Sequence, residues 1–294
     1  MKKFFLFVIV ISFAGLISAQ FNRRQQFVPQ VETKVMTFNI RYSTKSDGIN
    51  SWDNRKEKAI QMIWDNEVDI LGVQEALHSQ VKDLEKGLEG YEWMGVGRDD
   101  GIEKGEYSPI FYNARKFSEL GSGYFWLSES PMEAGSVGWD AAYTRIATWA
   151  KLKDNRTGTV IFVLNTHFDH VGHHARRESV KLIMQKLNVY TKKDKFPIIV
   201  TGDFNNVPHS EEIQYLKDTT NPLHLTDARD VSANVSGPEW TFHDFGRTPI
   251  QDRPLLDYVF VKNNISVLNY EVIEGNLGNM WVSDHCPVLV TVQY

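Results

Sequence analysis

Short apolar runs rich in β-branched and aromatic residues recur along the chain, and they constrain its fold more than any other feature. Each has the length and composition of a buried strand. Between some of them, residues 54–66 and 175–190 show helical periodicity instead. The apolar runs occupy residues 34–40, 69–75, 108–113, 146–152, 160–166, 196–202, 256–261 and 287–292. Strands interspersed with helices predict an α/β fold. The close spacing of 146–152 and 160–166 predicts a hairpin, so we expect mixed sheets.

The N-terminal residues have the pattern of a targeting segment. Lys2 and Lys3 precede an apolar stretch that is shorter than the roughly 20 residues of a membrane span, and small residues follow it. We therefore predict a cleavable signal peptide at 1–19, a polar N-terminal arm at 20–32 and one large domain at 33–294. This organisation predicts a secreted or periplasmic protein, with an uncleaved membrane anchor as the alternative. No later segment is apolar enough to suggest a transmembrane helix.

Cysteine content and net charge limit how the protein is stabilised and what it binds. Cys286 is the single cysteine, so an internal disulfide is excluded and a large apolar core must hold the fold. The formal net charge of −5 provides no global positive field for a polyanion. Nucleic acid stays open as a partner, although no strong basic patch favours it. We expect a monomer.

Polar side chains follow the predicted strands at the points where these strands end. In a sandwich of sheets such ends lie along one rim, so residues far apart in sequence can converge there. The candidates in chain order are Asn39, Glu75, Asn165, His167, Asp169, Asp203, Asn205, Asp257, Asp284 and His285.

Three of these residues offer oxygen ligands for a metal ion. Glu75 and Asp284 are carboxylates, and Asn39 adds a neutral carbonyl oxygen. Because the set contains no cysteine, it suits Mg²⁺, or alternatively Mn²⁺ or Ca²⁺, better than zinc.

Other members of the set suit proton transfer and binding of phosphate. Asp257 could orient His285 so that one ring nitrogen accepts a proton from water. Asn205 and His167 could donate hydrogen bonds to phosphate oxygens as negative charge develops. Combined with a bound cation, these groups predict hydrolysis of a phosphate ester. The sequence contains neither a Walker-type glycine loop nor a Gly-x-Ser-x-Gly elbow.

Seven sequence blocks occur in the order found in the endonuclease/exonuclease/phosphatase superfamily, whose members resemble deoxyribonuclease I. The blocks are 36-MTFNIR-41, 74-QE-75, 107-YSPIFY-112, 165-NTHFDH-170, 201-TGDFNN-206, 256-LDYVF-260 and 283-SDHCPV-288. The resemblance covers about residues 33–294 and looks closest to a secreted bacterial subgroup. It implies a four-layer α/β sandwich, with two mixed β-sheets packed face to face and helices outside.

The same resemblance implies roles for individual residues. It places Asn39, Glu75 and Asp284 at the metal, pairs Asp257 with His285, assigns water or phosphate contacts to Tyr107, His167, Asp203 and Asn205, and puts Arg145 near the substrate.

Several further residues are candidate substrate contacts from their positions in the sequence. Asn165 lies at the end of the same strand as His167, while His170 and His243 lie in loops. A solvated or surface position is the alternative for both loop histidines. Trp126, Trp139 and Tyr143 could form an aromatic platform for a base, a sugar or a lipid head group, or they could belong to the core.

The leading functional prediction is a divalent-metal-dependent phosphoesterase. It would hydrolyse a phosphodiester by in-line attack of water, with a His–Asp pair as general base. Nucleic acid, a phospholipid head group or a phosphosugar could supply the diester. A phosphomonoesterase of the same mechanism is the nearest alternative, and a non-catalytic binding module that retains the fold is another.

Overall fold

The computed structural model describes residues 31–191, 195–278 and 280–294. The predicted signal peptide, residues 1–19, and nearly all of the predicted N-terminal arm lie outside the described residues. Within the described ranges, none of the helices combines the length and the apolar character needed to cross a membrane.

The strands of the described residues form two mixed sheets. One sheet has seven strands in the order β10-β12-β13-β1-β2-β4-β3, and the other has six in the order β5-β6-β7-β8-β11-β9. The strands are β1 (Thr33–Asn39), β2 (Ile70–Gln74), β3 (Tyr91–Met94), β4 (Ile110–Asn113), β5 (Phe117–Trp126), β6 (Ile146–Asp154), β7 (Val160–His167), β8 (Ile198–Asp203), β9 (Thr226–Asp227), β10 (Asn234–Ser236), β11 (Asp257–Lys262), β12 (Ser266–Val272) and β13 (Val288–Gln293).

Helices flank the sheets and join their strands. They are α1 (Trp52–Asp65), α2 (His78–Gly87), α3 (His173–Thr191), α4 (Glu211–Lys217) and α5 (Ala228–Val231). The sequence pattern explains the longer two. In α1 the buried side chains include Trp52, Ala59 and Ile63, which recur at helical spacing and form one apolar face. In α3 the buried Val180, Ile183, Met184 and Leu187 do the same.

Three apolar cores separate the layers of the molecule. One lies between the sheets and includes Val35, Ile70, Val163 and Ile199. A second packs α1 and α2 onto the outer face of the seven-stranded sheet. A third packs α3 and α4 onto the outer face of the six-stranded sheet. The layers therefore follow the order helices, sheet, sheet, helices, which confirms the predicted four-layer α/β sandwich. Each sheet is buried on both faces because a layer covers each side of it.

All eight strands predicted from apolar runs are present, and β6 and β7 form the predicted hairpin. The missed strands, β3, β5, β9, β10 and β12, are short or lie near sheet edges. In β5 exposed and buried residues are mixed without a strict alternation, so its pattern is weak. An edge strand is solvated along one side and therefore carries fewer apolar residues.

Strand register brings the polar ends together. Parallel pairing of β7 with β8 places His167 opposite Asp203, and antiparallel pairing of β11 with β8 places Asp257 opposite the same aspartate. In the other sheet, β1 and β2 are parallel and end together at Asn39 and Gln74. Because the sheets pack face to face, these ends lie at one rim of the sandwich.

Candidate active site

His285 and Asp257 form a buried pair at this rim. Nδ1 of His285 donates a hydrogen bond to Oδ2 of Asp257 over 2.8 Å. Nε2 of the same ring lies 3.7 Å from Oδ2 of Asp203. Phe242 packs against the imidazole, with 5.0 Å between ring centroids. The contact with Asp257 sets the ring orientation and leaves Nε2 facing the other polar groups.

Glu75 and Asp203 are held together by Asn39. Nδ2 of Asn39 donates to Oε1 of Glu75 and to Oδ2 of Asp203, each at 3.0 Å. Its carbonyl oxygen accepts the backbone N–H of Arg41 at 2.9 Å. Asn39 therefore joins the predicted metal-binding group through its NH₂, and its carbonyl oxygen is directed to the backbone in this arrangement. Glu75 has a positive φ of 63°, which turns the chain sharply after β2.

His167 and Asn205 lie on the other side of Asp203. Nε2 of His167 is 3.1 Å from Nδ2 of Asn205 and 3.5 Å from Oδ2 of Asp203. Asn205 has a positive φ of 48°, and its backbone N–H donates to Oδ1 of Asp203. This tight turn directs the backbone N–H of Asn205 to the carboxylate of Asp203, while its side-chain Nδ2 bonds to Nε2 of His167 and to the carbonyl of Phe168.

Asp284 is the third carboxylate of the site, after Glu75 and Asp203. Its Oδ2 lies 3.8 Å from Nε of Arg41, and Ser283 donates to its Oδ1 at 3.2 Å. Behind it, the fully buried Arg55 donates to the backbone carbonyls of Ile40, Arg41 and Val282. Arg55 therefore connects the loops that follow β1 and precede β13.

Burial and mutual repulsion shift the pKa values of the acidic groups. Burial, reinforced by the charge of Asp257, raises the pKa of Asp203 to about 7. Burial, reinforced by Glu75, raises that of Asp284 to about 6. Burial also raises the pKa of Glu75, but the His285 charge and the Asn39 hydrogen bond outweigh it and lower that pKa overall.

The two histidines shift in opposite directions. Burial lowers the pKa of His285, but Asp257 and Asp203 outweigh burial and hold it well above the usual value. For His167, burial and the neighbouring Arg145 act together and hold the pKa well below the usual value. With only the carboxylates around it, His285 therefore favours its protonated form near pH 7, whereas His167 is neutral.

The donor set suits a divalent cation. Ligand atoms of Glu75, His167 and Asp203 lie within 4.8 Å of one another, and so do those of Asp203, Asp257 and His285. The first group shares Glu75 with the ligand set predicted from sequence. Carboxylate oxygens dominate both groups, which fits a hard cation of the Mg²⁺ type. Glu75, Asp203 and Asp284 bring three carboxylates to one cavity, and a cation would offset their mutual repulsion.

These residues open into a cavity of about 700 Å³. Most of the predicted site residues line it, namely Glu75, Arg145, His167, His170, Asp203, Asn205, Asp284 and His285. Asn39 and Asp257 are fully buried behind them and contact the lining residues. The cavity lies at the rim where the strand ends converge.

Besides Asn39 and Asp257, three further predicted site residues do not reach the cavity wall. The hydroxyl of Tyr107 bonds to Nδ1 of His78 at 2.8 Å and to the carbonyl of Ile102 at 2.9 Å. His243 is fully buried against Trp281, with ring centroids 4.1 Å apart. Burial lowers the pKa of His243 to about 3, so the ring is neutral and packs as part of the interior.

Asn165, the third of these residues, lies between the two sheets. Its Nδ2 donates to the carbonyls of Val73 and Pro109, and its Oδ1 accepts from Gln74 and Thr201. All four hydrogen-bonding capacities of the amide are thereby used. Asn165 is a polar link inside the core, and the side chain has no capacity left for a substrate.

One wall of the cavity is built around Asp169. Its carboxylate accepts the backbone N–H groups of Ala142, Tyr143, Val171 and Gly172 and also Nε of Arg145. Arg145 in turn contacts Nδ1 of His170 at 3.1 Å, and the His170 ring stacks on Tyr143 at 5.6 Å. Of the predicted aromatic platform, Tyr143 lines the cavity, whereas Trp126 is buried and donates to the backbone of Arg98.

Several residues of the site were missed from sequence. Arg98 and Glu106 line the cavity, but they lie in an irregular segment without periodicity that offers no signal. Arg55, by contrast, has a recognisable sequence signal, because it lies four residues before Ala59 on the apolar face of α1. A charged residue at such a position predicts a buried partner.

The comparisons agree with this architecture. Residues 36–285 match the model of the endonuclease/exonuclease/phosphatase family. A member of that family from Bacteroides vulgatus has 43% identity and a TM-score of 0.85, covering 90% of this chain and 99% of its own. The mannosyl-6-phosphatase of Bacteroides thetaiotaomicron has 33% identity and a TM-score of 0.83, covering 89% and 100%.

More distant structures share the fold alone. The catalytic domain of human Nocturnin has 21% identity and a TM-score of 0.69, covering 90% of this chain and 95% of its own. No curated protein sequence matches this chain. The family match spans most of the chain, and two near-complete relatives exceed 30% identity; the protein therefore belongs to the endonuclease/exonuclease/phosphatase family.

Proposed function

We propose that this protein is a divalent-metal-dependent phosphatase that hydrolyses a phosphate monoester of a small soluble alcohol. The observation that carries the proposal is the convergence of Glu75, Asp203 and Asp284 with the His285–Asp257 pair at one cavity. A cation held by the three carboxylates would neutralise charge on the substrate, and His285 would accept a proton beside the same substrate. Mg²⁺ is the expected metal, with Mn²⁺ and Ca²⁺ as alternatives.

Residues of the chain divide the work of hydrolysis between them. His285 accepts a proton from the attacking water at Nε2, while Asp257 keeps the ring oriented through Nδ1. Asp203 lies between the two imidazoles and positions the water. His167 would donate a hydrogen bond to a phosphoryl oxygen, and Asn205, whose Nδ2 bonds to Nε2 of His167 and to the carbonyl of Phe168, would hold that ring in place. A divalent cation bound at the carboxylates would neutralise charge on the phosphoryl group.

The charge state of His285 links proton transfer to metal binding. Its pKa lies well above the usual value when only the carboxylates surround it. Positive charge at those carboxylates lowers this pKa, because like charges repel. A cation held by Glu75, Asp203 and Asp284 would therefore shift His285 towards the neutral form that a general base requires.

Two observations favour a small monoester over the phosphodiester preferred from sequence. Among the cavity-lining residues, the carboxylates of Glu75, Glu106, Asp203, Asp244 and Asp284 outnumber the guanidinium groups of Arg41, Arg98 and Arg145. Such a cavity disfavours an extended polyanion. The mannosyl-6-phosphatase relative, which matches over its whole length, makes phosphomonoester chemistry the first choice and mannose 6-phosphate the first substrate to try.

The test is phosphate release from mannose 6-phosphate and p-nitrophenyl phosphate, compared with bis-p-nitrophenyl phosphate. We expect turnover of both monoesters with Mg²⁺ or Mn²⁺, and loss of turnover with EDTA. His285→Ala should reduce kcat at least roughly 10²-fold, while Asp252→Asn, an exposed substitution in the segment before β11, should not. Preferential cleavage of the diester would favour a phosphodiesterase, and metal-independent turnover would refute the proposal.

A further inference from the structure

A part of the cavity wall that the hydrolytic mechanism does not use is formed by Arg98 and Glu106. Nη1 and Nη2 of Arg98 donate to the two carboxylate oxygens of Glu106 at 2.7 and 3.0 Å. The side chains are 11% and 18% exposed, so the pair is mostly desolvated yet still reaches the cavity. The two residues face each other across a loop, in which the backbone N–H of Arg98 donates to the carbonyl of Glu106.

This pair adjoins the proposed reaction centre. Oε2 of Glu106 lies 3.8 Å from Nδ1 of His167, and that ring nitrogen has no hydrogen-bond partner among the described residues. Nε of Arg98 and Nη1 of Arg145 are likewise buried without partners in the described part of the chain. Three buried nitrogen atoms in this wall therefore have no hydrogen-bond partner among the described residues, which is unusual for buried polar groups.

Tyr143 stands beside the pair. The guanidinium carbon of Arg98 lies 5.8 Å from the centre of its ring, and His170 stacks against the ring at an interplanar angle of 23°. Tyr143 is 52% exposed although its backbone is held by Asp169. An aromatic surface on a rigid backbone, next to fixed donors and acceptors, is an arrangement suited to binding a small ligand.

We infer that Arg98, Glu106 and Tyr143 form a subsite for a polyhydroxylated leaving group, which makes the substrate a sugar phosphate. A carboxylate and a guanidinium side by side offer an acceptor and donors, which match neighbouring hydroxyl groups that both donate and accept. The tyrosine ring covers the apolar C–H face of the sugar. This assignment rests on the proposed phosphatase function and names the chemistry of its substrate.

The charge of the subsite argues against anionic leaving groups. A second phosphate or a nucleic acid strand would meet the carboxylate of Glu106 directly, because this side chain lines the cavity. A neutral, hydroxyl-rich group avoids this repulsion and can bond to both the carboxylate and the guanidinium.

The test compares two monoesters that share the phosphate and differ in the alcohol. Glucose 6-phosphate carries the hydroxyl-rich ring and ethyl phosphate lacks it. We expect Glu106→Gln and Tyr143→Ala each to lower the ratio of their kcat/KM values about 10-fold or more, because the variants lose contacts made only by the sugar. Glu103→Gln, in the same loop but exposed, is the matched control and should keep the wild-type ratio.

A binding measurement separates this inference from the phosphatase proposal. In a His285→Ala background with Mg²⁺, calorimetry reports the affinities of glucose 6-phosphate and ethyl phosphate without turnover. Tighter binding of the sugar phosphate, reduced by Glu106→Gln, supports the subsite even if no monoester is hydrolysed. Equal affinities, a ratio that the variants leave unchanged, or preferential binding of AMP that depends on Tyr143 would each overturn it.

Discussion

Asp203 illustrates how single side chains in this site depend on their neighbours' charges. Its Oδ2 lies 3.5 Å from His167 and 3.7 Å from His285, and it accepts a hydrogen bond from Asn39. Burial and Asp257 raise its pKa to about 7, so a small change in local charge alters its protonation near neutral pH. The site is therefore sensitive to substitutions that remove charge and leave shape intact.

Asp257→Asn is expected to lower kcat at least roughly 10²-fold while preserving the fold. The carboxylate of Asp257 is the main group that raises the pKa of His285 and fixes its ring. Without that charge the pKa of His285 falls, and the imidazole becomes a weaker proton acceptor. An NMR titration of the His285 ring, together with steady-state kinetics, measures both effects. Unchanged kcat with an unchanged titration would contradict the assigned pairing.

At the scale of elements, the two sheets approach each other closely at Gly72 in β2. A Cβ at this position would lie 2.2 Å from Oγ1 of Thr201 and 2.6 Å from Oδ1 of Asn165, both in the opposite sheet. The missing side chain lets the hydrogen-bond network of Asn165 form between the sheets. Glycine is used here for close approach of two strands.

Gly72→Ala should therefore lower the free energy of unfolding by about 1–3 kcal/mol, because overpacking forces the sheets apart. Urea denaturation followed by circular dichroism measures the change. Gly121→Ala in β5 is the matched control, since a Cβ there meets nothing within 4 Å. Equal stabilities of the two variants would show that the sheets adjust without strain.

Asp169 links two loops into one wall of the cavity, and its protonation should be visible in stability. Burial raises its pKa, but hydrogen bonds led by the Gly172 N–H outweigh burial and hold the pKa at about 2. A carboxyl with a depressed pKa stabilises the fold above its unfolded pKa of about 3.9, and this contribution is lost as the pH falls towards 2.

Asp169→Asn should cost about 2 kcal/mol near neutral pH, because charge-assisted hydrogen bonds are weakened. The difference from wild type should shrink as the pH falls from about 4 to 2. Urea titrations at pH 6, 4 and 3 give the three differences, with the exposed Asp53→Asn as a control. A difference that stays constant with pH would rule out the proposed linkage.

For the whole molecule, metal binding should stabilise the native state, since the candidate ligands come from both sheets. Glu75 follows β2 of one sheet and Asp203 ends β8 of the other. Because they are far apart in sequence, their proximity in the folded protein is lost on unfolding. A cation at 100 times its Kd contributes about 2.7 kcal/mol. In a chain of this size, that corresponds to a rise in Tm of roughly 4–5 °C.

Differential scanning calorimetry with Mg²⁺, Mn²⁺, Ca²⁺ or EDTA measures this rise. Glu75→Ala should remove most of it, whereas Glu57→Ala on the exposed side of α1 should not. Identical Tm values with every cation and with EDTA would contradict a metal site at these carboxylates.

The sequence by itself determined the layered α/β fold and most of the polar groups at the rim. Apolar runs record which strands are buried, and β1, β2, β7, β8 and β11 lie inside their sheets where that pattern is strong. Polar residues at the ends of such strands cannot be buried cheaply without partners, so their convergence was predictable. The placement of Glu75, Asp203 and His285 followed from this regularity.

Only the tertiary structure decided which polar residues face the cavity and which support it from behind. Asn165 and His167 are two residues apart on β7, so their side chains point to the same face, yet one lies in the core and the other at the rim. Arg98 and Glu106 became neighbours through a loop without periodicity. Such contacts depend on how sheets and loops pack in three dimensions, and the hydrophobic pattern of a single chain does not encode that packing.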